Sequence, residues 1–224
     1  MAIIVSFVSQ KGGVYKSTLA RLLAREFAAQ QWNVKIADLD ISQGTCFQWR
    51  TRRLESQIEP DVPVEQFGSV DKALRVADQY DLLIFDGAPH SSSATRAIAQ
   101  ASDLTVIPTG LAVDDLQPAV TLAHDLVKQS VPRDKILFVL CRVGDSNAEI
   151  EDARAYLQEA GYTVLAGTLP EKVAYRRASD EGRALTETRF PSLNQRAEEV
   201  AQGMVDKISQ LSSTENQKKK RSVA

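Results

Sequence analysis

The sequence predicts an α/β domain built on a doubly wound, mostly parallel sheet flanked by helices. Three observations carry this. Short, β-branched, almost wholly apolar runs alternate with longer amphipathic stretches. A glycine-rich turn ending in Lys-Ser-Thr separates the first run from the first amphipathic stretch. Carboxylates close the second and third runs. Strands covered by helices on both faces lose the apolar–polar alternation of a half-exposed strand, so continuous apolar runs read as interior parallel strands.

The elements follow in order. IIVSF (3–7) is the first strand and leads through the glycine-rich turn into a helix over 17–31. VKIAD (34–38) is the second strand, and a helix over 70–79 precedes the third, LLIFD (82–86). A helix over 92–101, the strand LTVIP (104–108), a helix over 116–129, the strand ILFVLC (136–141), a helix over 147–160 and the strand YTVLA (162–166) continue the alternation. Such strand–helix–strand units cross over right-handed and wind both faces of one sheet. The last third changes character: 176–186 and 193–211 read as helices. Leu193, Ala197, Val200, Met204, Ile208 and Leu211 form a stripe that packs on the body. The expected organisation is one domain over 1–212 and a basic, disordered tail over 213–224, with no repeat and no long linker.

With 224 residues, 43% hydrophobic and 25% charged, the chain suits one α/β domain with a full core. Cys46 and Cys141 are too few and too far apart for a disulfide framework or a cysteine-rich metal site, and read as buried thiols of a reducing compartment. The N-terminal MAIIVSFVSQ has no basic region or cleavage site, so it is not a signal peptide, and no apolar run is long enough to cross a bilayer. A cytoplasmic protein is expected. The net charge of −2 gives no global basic field, although the segment NQKKKR (216–221) carries cations and no acid.

Ligands of open parallel sheets bind beyond the carboxyl ends of the strands, which directs attention to 10–18, 38–43, 86–90, 108–115 and 142–147. The first of these is QKGGVYKST. A strand, a glycine-rich turn and Lys-Ser at the start of a helix form a phosphate loop. Its backbone amides and helix N-terminus face the phosphates, Lys16 supplies a cation, and the Ser17 hydroxyl can ligate Mg²⁺. The ordinary G-x-x-x-x-G-K-[ST] pattern is broken at Gln10 and Tyr15. Asp38, Asp40 and Asp86 end strands at the same sheet edge, where a magnesium shell and a water-positioning group belong.

Lys11, Gly12, Gly13, Lys16, Ser17 and Thr18 together resemble the deviant Walker A loop of the ParA/MinD superfamily, K-G-G-x-x-K-[ST]. The resemblance extends over DLD (38–40), FDGAPH (85–90) and VIPTGLAVDDL (106–116), and is nearest to short ParA-type partition ATPases. It implies a P-loop NTPase of the deviant Walker A type, using ATP and Mg²⁺. Lys11 would be the signature lysine reaching the phosphates of a homodimer partner, and Gly12 would permit close approach of the two loops. Gly13, Val14, Tyr15, Lys16 and Thr18 would line the nucleotide. Lys11, Lys16 and Asp40 would be catalytic, with Asp40 orienting water, and Ser17, Asp40 and Asp86 would lie at the metal. Residues 87–89 would form a switch sensing the γ-phosphate. The family has Pro-Gln after its second-strand acid, where this chain reads Asp40-Ile41-Ser42-Gln43.

Tyr15 is the larger departure, because the family has glycine there. A residue other than glycine held at φ > 0 costs about 1 kcal/mol or more. The ring is expected in the phosphate cradle, competing with ATP, or outside it, in the path of the dimer partner; the alternative is that the loop adapts and the ring lies over the nucleotide or on solvent. The first two, which are favoured, impair ATP binding or turnover.

The resemblance implies an ATP-driven switch for DNA (plasmid) partition. An ATP-bound homodimer coats nonspecific DNA on the nucleoid, and a ParB-like centromere-binding or cargo adaptor protein stimulates hydrolysis and release. Candidate DNA contacts are Arg176, Arg177, Arg183, Arg189, Arg196, Lys207 and the basic run Lys218, Lys219, Lys220 and Arg221. Positioning of a protein cargo by the same cycle, or a non-switching binding module disabled by Tyr15, are the other readings. ENQKKKRSVA lacks the bulky apolar residues of a membrane-anchoring helix, and the cysteines do not match the cluster ligands of a nitrogenase-type reductase.

Overall fold

The computed structural model describes residues 2–88 and 92–222, with side chains described over 2–88 and 93–213. The first half runs β1 (Ile3–Phe7), α1 (Lys16–Ala29), β2 (Val34–Asp38), α2 (Thr45–Glu55), β3 (Val64–Gln66), α3 (Val70–Leu74), β4 (Leu82–Asp86) and α4 (Ser92–Ala101). The second half runs β5 (Leu104–Thr109), α5 (Val113–Lys128), β6 (Ile136–Val143), α6 (Asn147–Glu159), β7 (Thr163–Val164), β8 (Leu169–Pro170), α7 (Val173–Asp180) and α8 (Pro191–Ser222). The sheet order is β3-β2-β4-β1-β5-β6-β7, with β8 pairing on β6. The pairings are parallel. This is the doubly wound P-loop NTPase fold.

Alternate residues of each strand enter opposite core layers. Val5 and Phe7 of β1, with Leu82 and Ile84 of β4, pack against α1, α2, α7 and α8. Leu83 and Phe85 turn to the other face, against α3 to α6. Continuous apolar strands are thus explained by two buried faces rather than one.

Elements α2, β3 and β8 carried no clear sequence signal. Helix α2 buries Cys46, Trp49 and Arg53, so its inward stripe contains an arginine and its pattern is not apolar. Strand β3 is three residues at the sheet edge. The helix expected over 176–186 instead ends at Asp180, because Gly182 at φ 77° turns the chain into a 3-10 turn over Leu185–Glu187. The apolar stripe ends at Leu211, and helical backbone continues to Ser222. Its Gln, Lys and Arg residues are good helix formers.

Helix α2 is bound to the α7–α8 connection by a buried charge cluster. Arg53, fully buried, donates to Glu187 Oε2 at 2.7 Å and Oε1 at 2.9 Å, to the Gly182 carbonyl at 3.1 Å and to the Pro60 carbonyl at 2.9 Å. The Trp49 indole donates to the Arg183 carbonyl at 3.0 Å. A Cβ on Gly182 would lie 2.4 Å from the Arg53 backbone nitrogen, so only glycine permits this approach. Removing one partner of a buried pair strands the other charge. Glu187→Ala is therefore expected to destabilise the fold by about 3–5 kcal/mol, measured by urea denaturation; a loss below about 1 kcal/mol, the range of surface pairs, would show that the cluster is not a structural anchor.

Candidate nucleotide-binding site

Register builds the site. Phe7 pairs with Asp86, and Asp86 pairs with Asp38, so β1, β4 and β2 end side by side. The chain leaves β1 through 8–15 and enters α1 at Lys16. The α1 N-terminus has no side-chain cap and no acid in its first turn. Gly12 and Gly13 have nothing within 4 Å of where a Cβ would stand. Uncapped first-turn amides beside an open, glycine-lined loop fit a phosphate chain.

Lys16 is buried, and its Nζ donates to the Lys11 carbonyl at 3.1 Å. Burial lowers its pKa, and the nearby Asp86 and Asp40 carboxylates oppose that shift. Asp86 is buried with Oδ1 making no hydrogen bond among the described residues, while Oδ2 accepts from the Cys46 thiol at 3.1 Å. Burial raises the Asp86 pKa, and the Ser17 hydroxyl and Cys46 thiol offset part of that rise. An orphaned buried carboxylate oxygen next to Ser17 suits a cation.

Asp38 behaves differently. Fully buried, it accepts from the backbone amides of Asp40 at 3.1 Å, Cys46 at 3.1 Å and Phe47 at 3.2 Å. It thereby caps α2 and shapes the loop that carries Asp40. Burial, followed by repulsion from Asp86, pushes its pKa up to about 6. Asp40 is half-buried; its Oδ1 accepts from Ser42 Oγ at 2.7 Å and the Gln43 amide at 3.2 Å.

Lys11 pairs with Asp115 near the start of α5 at 2.8 Å, both side chains half-exposed. Asp115 had no assigned role, although it lies in the strand-end segment 108–115. Cys46 was equally missed, since a lone cysteine reads as core. Of the switch residues 87–89, Gly87 and Ala88 are described and Pro89 lies outside the described residues.

Tyr15 lies between the phosphate loop and α7. Its backbone is left-handed, with φ 75° and ψ 18°, so the loop keeps the glycine conformation despite the side chain. The ring packs on the core layer of α1 and α7. It shares a pocket of about 500 Å³ with Thr18, Arg142, Glu171, Tyr175 and Arg176. Burial, then the Glu171 carboxylate, push its pKa to about 12. Glu171 bridges Arg142, at 2.8 Å, and Arg176 across this pocket.

The candidate DNA cations separate. Arg177, Arg183 and Arg189 line one concavity of about 720 Å³ with the exposed Phe190, together with Asp180, Glu181 and Glu187. Arg176 instead faces Glu171 in the Tyr15 pocket. The side chains of Lys218, Lys219, Lys220 and Arg221 lie outside the described residues.

Residues 5–185 match the family described as CobQ/CobB/MinD/ParA nucleotide binding domain. A curated relative, the maintenance of carboxysome distribution protein A of Gloeobacter kilaueensis, is 31% identical over 188 residues, covering 83% of this chain and 85% of that protein. In fold the chain is similar to a plasmid partition protein of Borrelia burgdorferi B31 bound to AMPPNP, at TM-score 0.70 and 16% identity, covering 92% of this chain and all of that one. It is also similar to pNOB8 ParA bound to nonspecific DNA, at TM-score 0.63 and 14% identity, covering 92% and 99%.

The raised Asp38 pKa ties stability to pH. The folded state holds this proton up to about pH 6, whereas an unfolded Asp releases it near the ordinary value of 3.8. The folded chain then binds more protons between these values, so Asp38 removes stability as pH rises through that window. Asp38→Asn is expected to gain roughly 1–2 kcal/mol relative to the parent on going from pH 4.5 to pH 7. Thermal unfolding at both pH values checks this, and an equal difference at both would refute it.

Proposed function

Because the chain belongs to the CobQ/CobB/MinD/ParA nucleotide-binding family, we propose that it is a ParA-type ATPase that positions cargo on nonspecific DNA as an ATP-bound homodimer. The observation that carries this reading is the convergence of Lys16, Asp86 and Asp40 on an uncapped helix N-terminus. Lys11 at the loop and Arg177, Arg183 and Arg189 on one separate concavity add the means for pairing and for phosphate binding.

The residues divide the work. Amides of Gly13 to Thr18 and the Lys16 ammonium hold the phosphates. Ser17 and Asp86 would hold Mg²⁺, with Asp40 alongside, and the ion would supply positive charge against the phosphates there. Asp40 orients the attacking water, its loop held by the Asp38 cap. Lys11 leaves Asp115 to reach the phosphates of the second subunit.

Tyr15 weakens this cycle by crowding. The left-handed strain of about 1 kcal/mol is borne in the folded chain with or without nucleotide. Its ring, however, shares a pocket with Thr18 of the phosphate loop, and bulk at that place crowds a bound nucleotide. A partner that stimulates turnover is part of the reading, as a ParB-like or cargo adaptor protein. A plasmid or a protein cargo both suit the cycle. The carboxysome-distribution relative favours the second, and fluorescent chain imaged against labelled plasmid and labelled cargo separates them.

Tyr15→Gly is expected to tighten ATP binding about tenfold, equivalent to about 1.4 kcal/mol, and to promote dimers in light scattering with ATP and Mg²⁺. Tyr15→Ala keeps the strain but removes the ring, so it should tighten binding as well. Unchanged affinity in both variants would clear the tyrosine of any inhibitory role.

Charge reversal at Arg183 and Arg189 in the Tyr15→Gly chain is expected to weaken duplex DNA binding more than deletion of residues 218–221. Helix-flanking cations are already placed, whereas a terminal segment loses entropy on ordering. Retention of DNA by the reversed chain at low and moderate salt would remove this surface from the reading.

A further inference from the structure

A groove among the described residues lies away from the strand ends where the candidate nucleotide site forms. It has a volume of about 1020 Å³ and runs between the C-terminal part of α1 and the outer side of α8, with the segment after β7 as its floor. Phe27 and Trp32 meet edge to face at 4.9 Å on one wall, and Leu165 and Val205 continue the apolar lining. Trp32 is 40% exposed there. Helix α8 sits low over the floor because Gly203 and Gly167 lack side chains: a Cβ on Gly203 would come within 2.5 Å of Leu165 Cδ1.

The rim has one sign. Glu198, Glu199 and Asp206 of α8 line the groove, and no lysine or arginine does. Glu199 and Asp206 accept from the neutral amides of Gln195, at 3.3 Å, and Gln202, at 2.8 Å. None of the three acids forms an ion pair with another described residue. Glu26, on the opposite wall, is already matched by Arg25 and Thr186. The exposed Trp32 and half-buried Val205, over a buried base of Phe27 and Leu165 and framed by acids without an ion-pair partner among the described residues, offer a surface for an amphipathic ligand.

We propose that this groove docks a cationic amphipathic helix of a partner protein, with apolar side chains against Trp32, Leu165 and Val205 and lysines or arginines against Glu198, Glu199 and Asp206. The charge selects the occupant. Duplex DNA is repelled by the acids, and the chain's own basic segment, NQKKKR, has cations but no apolar anchor. The groove follows α8 from Gln195 to Asp206, a rise of roughly 16 Å at 1.5 Å per residue, which matches about three turns of a partner helix. The surface is independent of the nucleotide reading, and it is tested without nucleotide, so either can fail alone.

The probe is a synthetic four-turn helix of leucine and lysine, beside a leucine–glutamate version with the same apolar positions and a peptide of residues 213–224. Trp32 reports binding by its emission, against the constant signal of the fully buried Trp49. The leucine–lysine helix should bind with a blue shift and loosen with salt. It should bind at least about tenfold more weakly to Glu198→Lys/Glu199→Lys/Asp206→Lys, which should instead take the leucine–glutamate helix. The milder Glu198→Gln/Glu199→Gln/Asp206→Asn chain, with its fold checked by circular dichroism, should bind neither charged helix well. The proposal is overturned if the leucine–lysine helix does not bind, if it binds parent and reversed chains equally, if the 213–224 peptide binds as tightly, or if duplex DNA displaces it.

Discussion

The pairing of Asp38 with Asp86 across parallel strands is the constraint on which the rest of the site depends. Register brings two carboxylates together under the phosphate loop, both out of water. Like charges in such a place are costly unless each finds its own partners. Asp38 takes the amides of Asp40, Cys46 and Phe47, which fixes the start of α2 and the loop after β2. Asp86 takes the Cys46 thiol and faces Lys16. Cys46 thus serves both acids, through its amide and its thiol. The loop, the helix and the ammonium are placed by the need to satisfy this pair.

From α2 the constraint passes to the other end of the molecule. Trp49 and Arg53 lie on the buried side of the helix that Asp38 caps, and they grip the backbone at Arg183 and Gly182 and the Glu187 carboxylate. The segment bearing Arg183 and Arg189 is therefore packed directly on the helix that begins beside Asp40. The chain has a formal charge of only −2, yet its charges are sorted by place. Arginines gather beside the α7–α8 connection, and acids gather along the α1–α8 groove. Net charge hides this sorting, since only the fold brings the contributing segments together.

Much of the architecture was legible because burial on both faces leaves a strong trace. Strands β1, β2 and β4 run over the residues their apolar content indicates, and the acids at their ends mark the ligand edge. What was illegible had physical reasons. Helix α2 buries Arg53, so its amphipathic pattern is disguised by a charge that is matched only through residues far along the chain. Asp38 and Asp40 look equivalent in sequence, but strand geometry turns one into the core and leaves the other at the loop. Tyr15 showed its backbone demand in sequence, but the direction of its ring depends on a wedge formed by Glu171, Tyr175 and Arg176, distant residues that no local pattern connects. The last of these had been grouped with the DNA contacts for its charge alone.

The Lys11–Asp115 pair joins two half-exposed side chains at 2.8 Å. A pair in that position is open to screening, whose range is about 10 Å at 0.1 M ionic strength. Rising salt therefore loosens Lys11 from its intramolecular tether. The same salt loosens arginines from a polyphosphate backbone, where several contacts are lost together. Under the function proposed above, ionic strength therefore acts on the Lys11 tether and on the arginine–phosphate contacts at once, and the steeper dependence belongs to the contacts that are lost together.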